Sequence, residues 1–495
     1  MLKNLFRRVC AVLTLVSLFA VPASALDLRK VETQFDSVLY QIERYGLFAE
    51  DHEMSDEQRA AYNARITGGE TLSKVVNEVL SKHDVHSFYM SPEEYAKSFS
   101  SLSGDYVGIG ITVQQRDGQT VITDVNFGGP AREAGIEPQD VLLSVDGTPV
   151  EGKTLDEIGD LLRGSKGTAA KLRLSRAGRE VEAEVMRREI YGDHVWSKNL
   201  SEGIEYIRVE AFATADDAAH FEAIWDKLDD KRTAAVVLDL RSNGGGLIDA
   251  ALSMLNLMLE EPVEMVTCRW RKDQGGTQVI KSEGGGLPLN GIYVLVDGQT
   301  ASAAEMVAGC LKDAGAAELI GEKTYGKSQG QFHLPLYSGD SLIITTLEMS
   351  IPKTGVWEAK GIEPNIRTEN LVTLGEYMEG RPALSTIRPI LFGETSKAVQ
   401  ELTERLRLIG LLPQATDTFT APVLKALHTF QRAAGLEETL NADVQTLKLL
   451  NQTMENASGY YVDSALNQAL ALAQSAAAKP LRYTPNADGT WVPAA

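Results

Sequence analysis

Ser302 and Lys327, 25 residues apart, are the pair in this chain whose types could make a nucleophile and its base. Ser302 follows the apolar run Ile292-Tyr-Val-Leu-Val-Asp297, of buried-strand type, and heads a segment with helical spacing, 301–314. A serine at a strand-to-helix turn lies under the backbone N–H groups of a helix N-terminus, which stabilise an oxyanion. Its proton still needs an acceptor. None of the seven histidines lies in a recognisable Ser/His/Asp setting, and no Gly-x-Ser-x-Gly elbow surrounds Ser302. Lys327 is the better candidate, because a lysine held out of water loses charge stabilisation and can serve as a neutral base. Taken alone, such a pair is more often a helix cap and a surface charge.

A second chemistry is written over the same residues. Gly321-Glu-Lys-Thr-Tyr-Gly326-Lys327-Ser328 satisfies the P-loop spacing, which would imply a nucleotidase. That motif needs a helix directly after Lys-Ser. Gln331-Phe-His-Leu-Pro-Leu-Tyr337 follows instead, with the alternation and proline of an edge strand.

The elements that must position the pair repeat in outline. Thr233-Ala-Ala-Val-Val-Leu-Asp-Leu240 reads as a buried strand running into Arg241-Ser-Asn243-Gly244-Gly245-Gly246 and a helix over 247–260, as 292–314 does around Ser302. Parallel strands joined by crossover helices bring both strand ends to one sheet edge, where sites in such folds form. Backbone without side chains can approach a substrate carbonyl, so the oxyanion hole is assigned to the amides of Gly245 and Ala303. The choice among the three glycines stays open.

Thr300-Ala301-Ser302-Ala303-Ala304-Glu305 and Gly326-Lys327-Ser328-Gln329-Gly330-Gln331 resemble the signature of the carboxyl-terminal processing peptidases, Ser/Lys endoproteases. The resemblance covers roughly residues 30–370. It implies a crotonase-like α/β protease core with Ser302 as nucleophile, Lys327 as base and Gln331 in support. Leu-Asp-Leu-Arg-Ser-Asn-Gly-Gly-Gly is similar to the family's Leu-Asp-Leu-Arg-x-Asn-Pro-Gly-Gly, with Gly244 for proline. Asp84-Val-His86-Ser87-Phe-Tyr89 resembles its Asp-Pro-His-Ser-x-Tyr segment, where His86 is read as structural. Gly361-Ile-Glu-Pro-Asn365 resembles a further family segment and is read as a structural turn.

Residues 104–188 resemble a PDZ domain. Tyr106-Val107-Gly108-Ile109-Gly110 matches the carboxylate-binding loop, Ala131–Ile136 its short helix and Thr154–Gly164 the second helix of the groove. Glycines at 108 and 110 let backbone N–H groups converge on a terminal carboxylate, while an edge strand accepts the peptide by β-addition. Arg163 matches a position that the resemblance links to signalling toward the active site; a solvated helix-end arginine is the other reading. Residues 385–452 resemble the three-helix peptidoglycan-binding domain of cell-wall enzymes, on Gly393, Leu402, Leu406, Phe419, Phe430-Gln431 and Gly435-Leu436. The usual Asp-Gly before Phe419 reads Asp417-Thr418, so wall anchoring and a structural or partner-binding remnant both stand.

The rest sets the address. Residues 1–25 carry Lys3, Arg7 and Arg8, an apolar run and Ala23-Ser-Ala25, which reads as a secretory signal peptide. Export to the periplasm or cell envelope is expected, with no transmembrane segment in the mature chain. A formal charge of −20 argues against nucleic acid as a partner. Cys268 and Cys310 are the mature cysteines, and their redox state stays open. No metal or cofactor is expected, since no His-Glu-x-x-His or credible ligand cluster occurs.

The reading is therefore a multidomain α/β protein: signal peptide 1–25, helical region 26–103, PDZ domain 104–188, serine protease core 189–378, peptidoglycan-binding-like domain 385–452, and an Ala-rich helix with irregular tail, 453–495. The apolar stripe Val31, Phe35, Val38, Leu39, Ile42 and Tyr45 could pack on the core or pair two copies, and a homo-oligomer is expected. Expected substrates are proteins with accessible C-termini, and an activating adaptor lipoprotein is left open. The competing reading is a catalytically silent PDZ adaptor tethered to the wall.

Overall fold

A strand whose residues are apolar on both sides has to be covered on both sides, and that demand explains most of this architecture. In the computed structural model the described residues are 33–493 apart from 53, 83, 96–105, 117, 126–128, 177–178, 191–193, 231, 337–338, 410, 413–414, 457–460, 480–482 and 486–490. The expected signal peptide lies outside them.

Helices α1 (Gln34–Tyr45), α2 (Asp56–Thr67) and α3 (Leu72–Leu80) come first, each N-capped by a Thr or Ser hydroxyl that accepts the amide three residues on. The α1 stripe Phe35, Val38, Leu39 and Ile42 packs within the chain, against Leu342 and Ile344. Strand β1 (Phe88–Met90) then pairs antiparallel with core residues 341–343.

The next unit contains β2 (Tyr106–Gly108), β3 (Ile111–Arg116), β4 (Gln119–Val125), α4 (Pro130–Glu133), β5 (Val141–Val145), β6 (Thr148–Pro149), α5 (Leu155–Leu162), β7 (Ala169–Arg176), β8 (Arg179–Met186) and β9 (Arg188–Ile190). Its sheet runs β3-β4-β5-β7-β8, so β3 is an edge; β6 joins β5, and β2 pairs with β9. Ile122, Val145, Ile158 and Leu172 belong to its separate core.

The central unit follows as β10 (Val195–Ser201), β11 (Ile204–Val209), α6 (Ala215–Asp230), β12 (Ala235–Asp239), α7 (Ile248–Met258), β13 (Glu264–Trp270), β14 (Thr277–Lys281), β15 (Gly291–Val296), α8 (Ala303–Ala314), β16 (Glu318–Gly321), β17 (Gln329–Pro335), β18 (Ser341–Ser350) and β19 (Ile366–Arg367). One sheet runs β10-β11-β12-β15-β16-β19, parallel from β11 onward; the other runs β1-β18-β13-β14 with β17 on β18. The period of two in β12 sorts its side chains: Val236 and Leu238 meet Phe221, Leu255 and Val307 of α6, α7 and α8.

Ala235 and Val237 face the other way, and what covers them comes from the far end of the chain. After β20 (Leu371–Thr373) and α9 (Leu374–Met378), helices α10 (Lys397–Leu408), α11 (Ala421–Ala433) and α12 (Val444–Asn456) enclose their own core around Leu402, Phe419, Phe430 and Leu447. Strand β21 (Tyr461–Asp463) returns antiparallel to β20, and α13 (Ser464–Ala477) lays Ala465, Ala469, Leu470, Ala473 and Ala476 on Tyr206, Ala235, Val237, Leu295 and Ile320. The Ala-rich helix expected within 453–495 thus forms the second cover of the central sheet as α13, and the three-helix unit precedes it in the chain. Alanines let the helix approach the strands closely.

Candidate active site

Ser302 is the N-cap of α8, with φ +57° and ψ −119°. A non-glycine residue in that region costs on the order of 1–3 kcal/mol and must be held by its surroundings. The holding is visible in the turn before it. Asp297 Oδ1 accepts the amides of Ser242 (2.9 Å), Gln299 (3.0 Å) and Thr300 (2.9 Å), while Thr300 Oγ1 donates to the Leu240 carbonyl at 3.0 Å. Ala301 N donates to the Asn243 carbonyl at 2.9 Å. The glycine loop and the serine turn are thus sewn together at the ends of adjacent parallel strands. Gly245, at φ +99°, lies so close that a Cβ on it would sit 2.8 Å from Ser302 Cβ.

Glu305 joins the serine to the lysine. Its buried carboxylate accepts Ser302 N (2.9 Å) and Lys327 N (2.8 Å) on Oε2, and Gly326 N (2.7 Å) with Thr324 Oγ1 on Oε1. One oxygen therefore receives the backbone amides of both reacting residues. Burial pushes the Glu305 carboxyl above its usual range, against these four donors.

The Lys327 backbone is held on its other side by the Trp357 indole, which donates to its carbonyl at 3.1 Å. Burial lowers the pKa of the Lys327 amine, while Glu358, Asp84 and Glu305 oppose that shift. Among the described residues no ion pair neutralises it, and no hydrogen bond joins Lys327 Nζ to Ser302 Oγ. Such contacts often tighten only once substrate is bound. Gln331, on β17, donates to the Gln329 carbonyl (3.1 Å) and to Thr345 Oγ1 (3.3 Å) and makes no hydrogen bond to the lysine.

The two amides assigned to the oxyanion hole differ. Ala303 N opens α8 and has no acceptor among the described residues, whereas Gly245 N donates to Asn243 Oδ1 at 2.8 Å. As it stands, the glycine amide is engaged inside its own loop.

The PDZ-like unit touches this site. Gln114, on the edge strand β3, donates to Asp297 Oδ2 (3.2 Å) and Ser242 Oγ (3.4 Å). In the loop from Tyr106 and Val107 to Gly110, Ile109 is buried and its carbonyl accepts Ala131 N at 3.0 Å; Gly108 belongs to β2, and Gly110 has φ +74°. Arg163 is half exposed and pairs with Asp160 at 3.3 Å, on the surface of α5's C-terminal end, with no described contact leading toward Ser302. After Lys327-Ser328 the chain enters β17 rather than a helix, which removes the P-loop reading. His86 contacts Glu358, not Ser302. Asn365 accepts Leu319 N at 2.9 Å, in keeping with a turn.

Glu305 was within reach of sequence reasoning, since Ser302-x-x-Glu305 has capping-box spacing. Glu358 carried no such signal, and Asp84 stood out only within the family-like segment 84–89. They meet the lysine only through the fold.

Known proteins resemble this chain over both the PDZ-like and the central unit. Residues 203–368 match the model of peptidase family S41, and 107–186 the PDZ domain. The chain is 31% identical over 385 residues to the carboxy-terminal processing protease CtpA of Bacillus subtilis, covering 77% of this chain and 80% of that protein. A Staphylococcus haemolyticus protein named "Probable CtpA-like serine protease" is 28% identical over 390 residues, covering 78% of this chain and 77% of that protein. A crystal structure of a Bacteroides fragilis protein named for the S41 proteases shares the fold at TM-score 0.51 and 18% identity, over 68% of this chain and 90% of that one.

Proposed function

Since the chain belongs to the S41 peptidases, as a serine-type carboxy-terminal processing protease with a PDZ domain, we propose that it is an exported endopeptidase working through a Ser302–Lys327 dyad. The observation that carries the dyad is the shared Glu305 oxygen, which fixes the backbones of a strained serine and a half-buried lysine side by side. The substrates are proteins, entering by their C-terminal ends.

The C-terminal carboxylate of a substrate docks at the Val107–Gly110 loop, and its last residues extend the PDZ sheet at β3, whose outer edge is unpaired within that sheet. The neutral Lys327 amine takes the Ser302 Oγ proton. The alkoxide attacks a peptide carbonyl, and the Ala303 amide at the head of α8 receives the developing oxyanion. Gly245 N can add a second donor once it releases Asn243 Oδ1. The lysine ammonium returns its proton to the leaving amine, and an acyl-enzyme ester remains on Ser302. Water attacks that ester with Lys327 again as base, which frees the acid and restores the serine.

The signal-peptide pattern of residues 1–25 supports export and action on cell-envelope proteins, and peptidoglycan is the candidate ligand of the three-helix unit. The decisive experiment incubates the purified mature chain with β-casein. Cleavage that disappears in both Ser302→Ala and Lys327→Ala is expected. Cleavage surviving in either variant removes the dyad. No cleavage by any form, with PDZ peptide binding intact, would favour the silent adaptor.

A further inference from the structure

The segment Asp84–Ser87, between the N-terminal helices and β1, reaches both flanks of the candidate base. On one flank His86 Nε2 lies 2.7 Å from Glu358 Oε1, and Glu358 Oε2 accepts Ser328 N at 2.7 Å and Ser328 Oγ at 3.2 Å. Ser328 directly follows Lys327. On the other flank the buried Asp84 carboxylate accepts Thr345 Oγ1 at 3.1 Å, and that hydroxyl accepts Gln331 Nε2 at 3.3 Å. Ser87 closes the unit, with its Oγ donating to Asp84 and accepting Thr345 N at 2.8 Å.

We infer that Asp84–Ser87 is a positioning clamp for the lysine, mooring its loop through His86 and Glu358 and the neighbouring Gln331 through Asp84 and Thr345. The inference rests on the dyad reading. It makes the N-terminal helical region part of the catalytic apparatus. With β1 paired to β18 and α1 packed on Leu342 and Ile344, displacing that region would release the loop carrying the base.

The clamp also brings charge. The groups facing the lysine amine are Glu358, Asp84 and Glu305, and the group facing Glu358 from the N-terminal segment is His86. Removing one of these negative charges makes the neutral amine easier to form. A scaffold that merely fills space would not do this.

The test uses the full mature chain with β-casein as substrate. Glu358→Gln and Asp84→Asn keep shape and lose charge, so the acid limb of kcat/KM moves to lower pH. His86→Ala leaves both carboxylates in place. It lowers kcat by roughly 10²-fold through misplacement of the base, and a labelled peptide with a free C-terminal carboxylate binds the PDZ unit as before. His86→Gln, which can place an amide donor near the Nε2 position, recovers part of the loss. The inference is overturned if both charge variants keep the wild-type limb, or if His86→Ala changes kcat only in proportion to a fall in folded fraction. Lys327→Ala run alongside separates the two readings: activity in that variant overturns the dyad and the clamp together, whereas an inactive Lys327→Ala with unmoved limbs overturns the clamp alone.

Discussion

Replacing Gly245 by alanine probes the closest packing in the site. The residue has φ +99°, where an L-residue costs about 1–2 kcal/mol. The new Cβ would stand 2.8 Å from Ser302 Cβ, 2.9 Å from the Ala301 carbonyl oxygen and 3.0 Å from Ala303 N. Two of those atoms are backbone, so no side-chain rotation gives relief, and overpacking of this kind costs roughly 1–3 kcal/mol. Together the two effects come to about 2–5 kcal/mol, enough to push the 301–303 backbone aside. A shift near 1 Å at a nucleophile lowers the rate about 10²-fold. Initial rates on β-casein and urea unfolding midpoints measure the two consequences. Gly244→Ala is the control: its Cβ would meet nothing within 4 Å, so its stability stays within about 0.5 kcal/mol of wild type. A Gly245→Ala enzyme with wild-type rate and midpoint, or a Gly244→Ala enzyme equally destabilised, would refute the reasoning.

Other perturbations follow from the same contacts. Because only the unprotonated amine can take the serine proton, kcat/KM should rise with pH, over a range below that of an ordinary lysine since burial favours the neutral form; Lys327→Arg should be inactive at every pH, as a guanidinium keeps its proton. Glu305→Gln turns one acceptor into a donor facing amide donors, costing about 1–3 kcal/mol for each stranded group, and a combined fall in unfolding midpoint and rate checks it. Asp239 accepts Tyr206 Oη (2.8 Å), Arg208 (2.9 Å) and Arg241; burial raises its pKa, but the two guanidiniums outweigh it and hold the carboxyl below its usual range. Its contribution is thus full at neutral pH and lost as the solution is acidified; Asp239→Asn should cost about 3–5 kcal/mol at neutral pH, read by urea unfolding, with an acid component missing from the stability profile. Burial pushes the Cys268 thiol up to about 12 and also raises that of Cys310, so neither should react with iodoacetamide at pH 8 until denaturant is added.

What could be read from the chain, and what could not, divides by range of interaction. Strand β12, the glycine loop, α8 and the strand after Lys327 were written in local periodicity and turn residues, and the structure places them within a few residues of those expectations. The edge position of β3 followed from the PDZ-like order of turns. Partnerships between distant segments left no local trace. Asp84 takes the hydroxyl of Thr345, toward which Gln331 turns, and His86 meets Glu358 beside the lysine loop. The Ala-rich stretch of α13 was legible as a helix, but small residues in the stripe Ala465, Ala469, Ala473 and Ala476 do not say which sheet they lie on.

That last helix also sets a schedule. The central sheet has one face finished by α6, α7 and α8, but its opposite face stays bare until residues 464–477 arrive, after the whole three-helix insert has been made. Arg241, next to the glycine loop, meets Asp463 through two hydrogen bonds of 2.8 and 2.9 Å, so one anchor beside that loop comes from the same late segment.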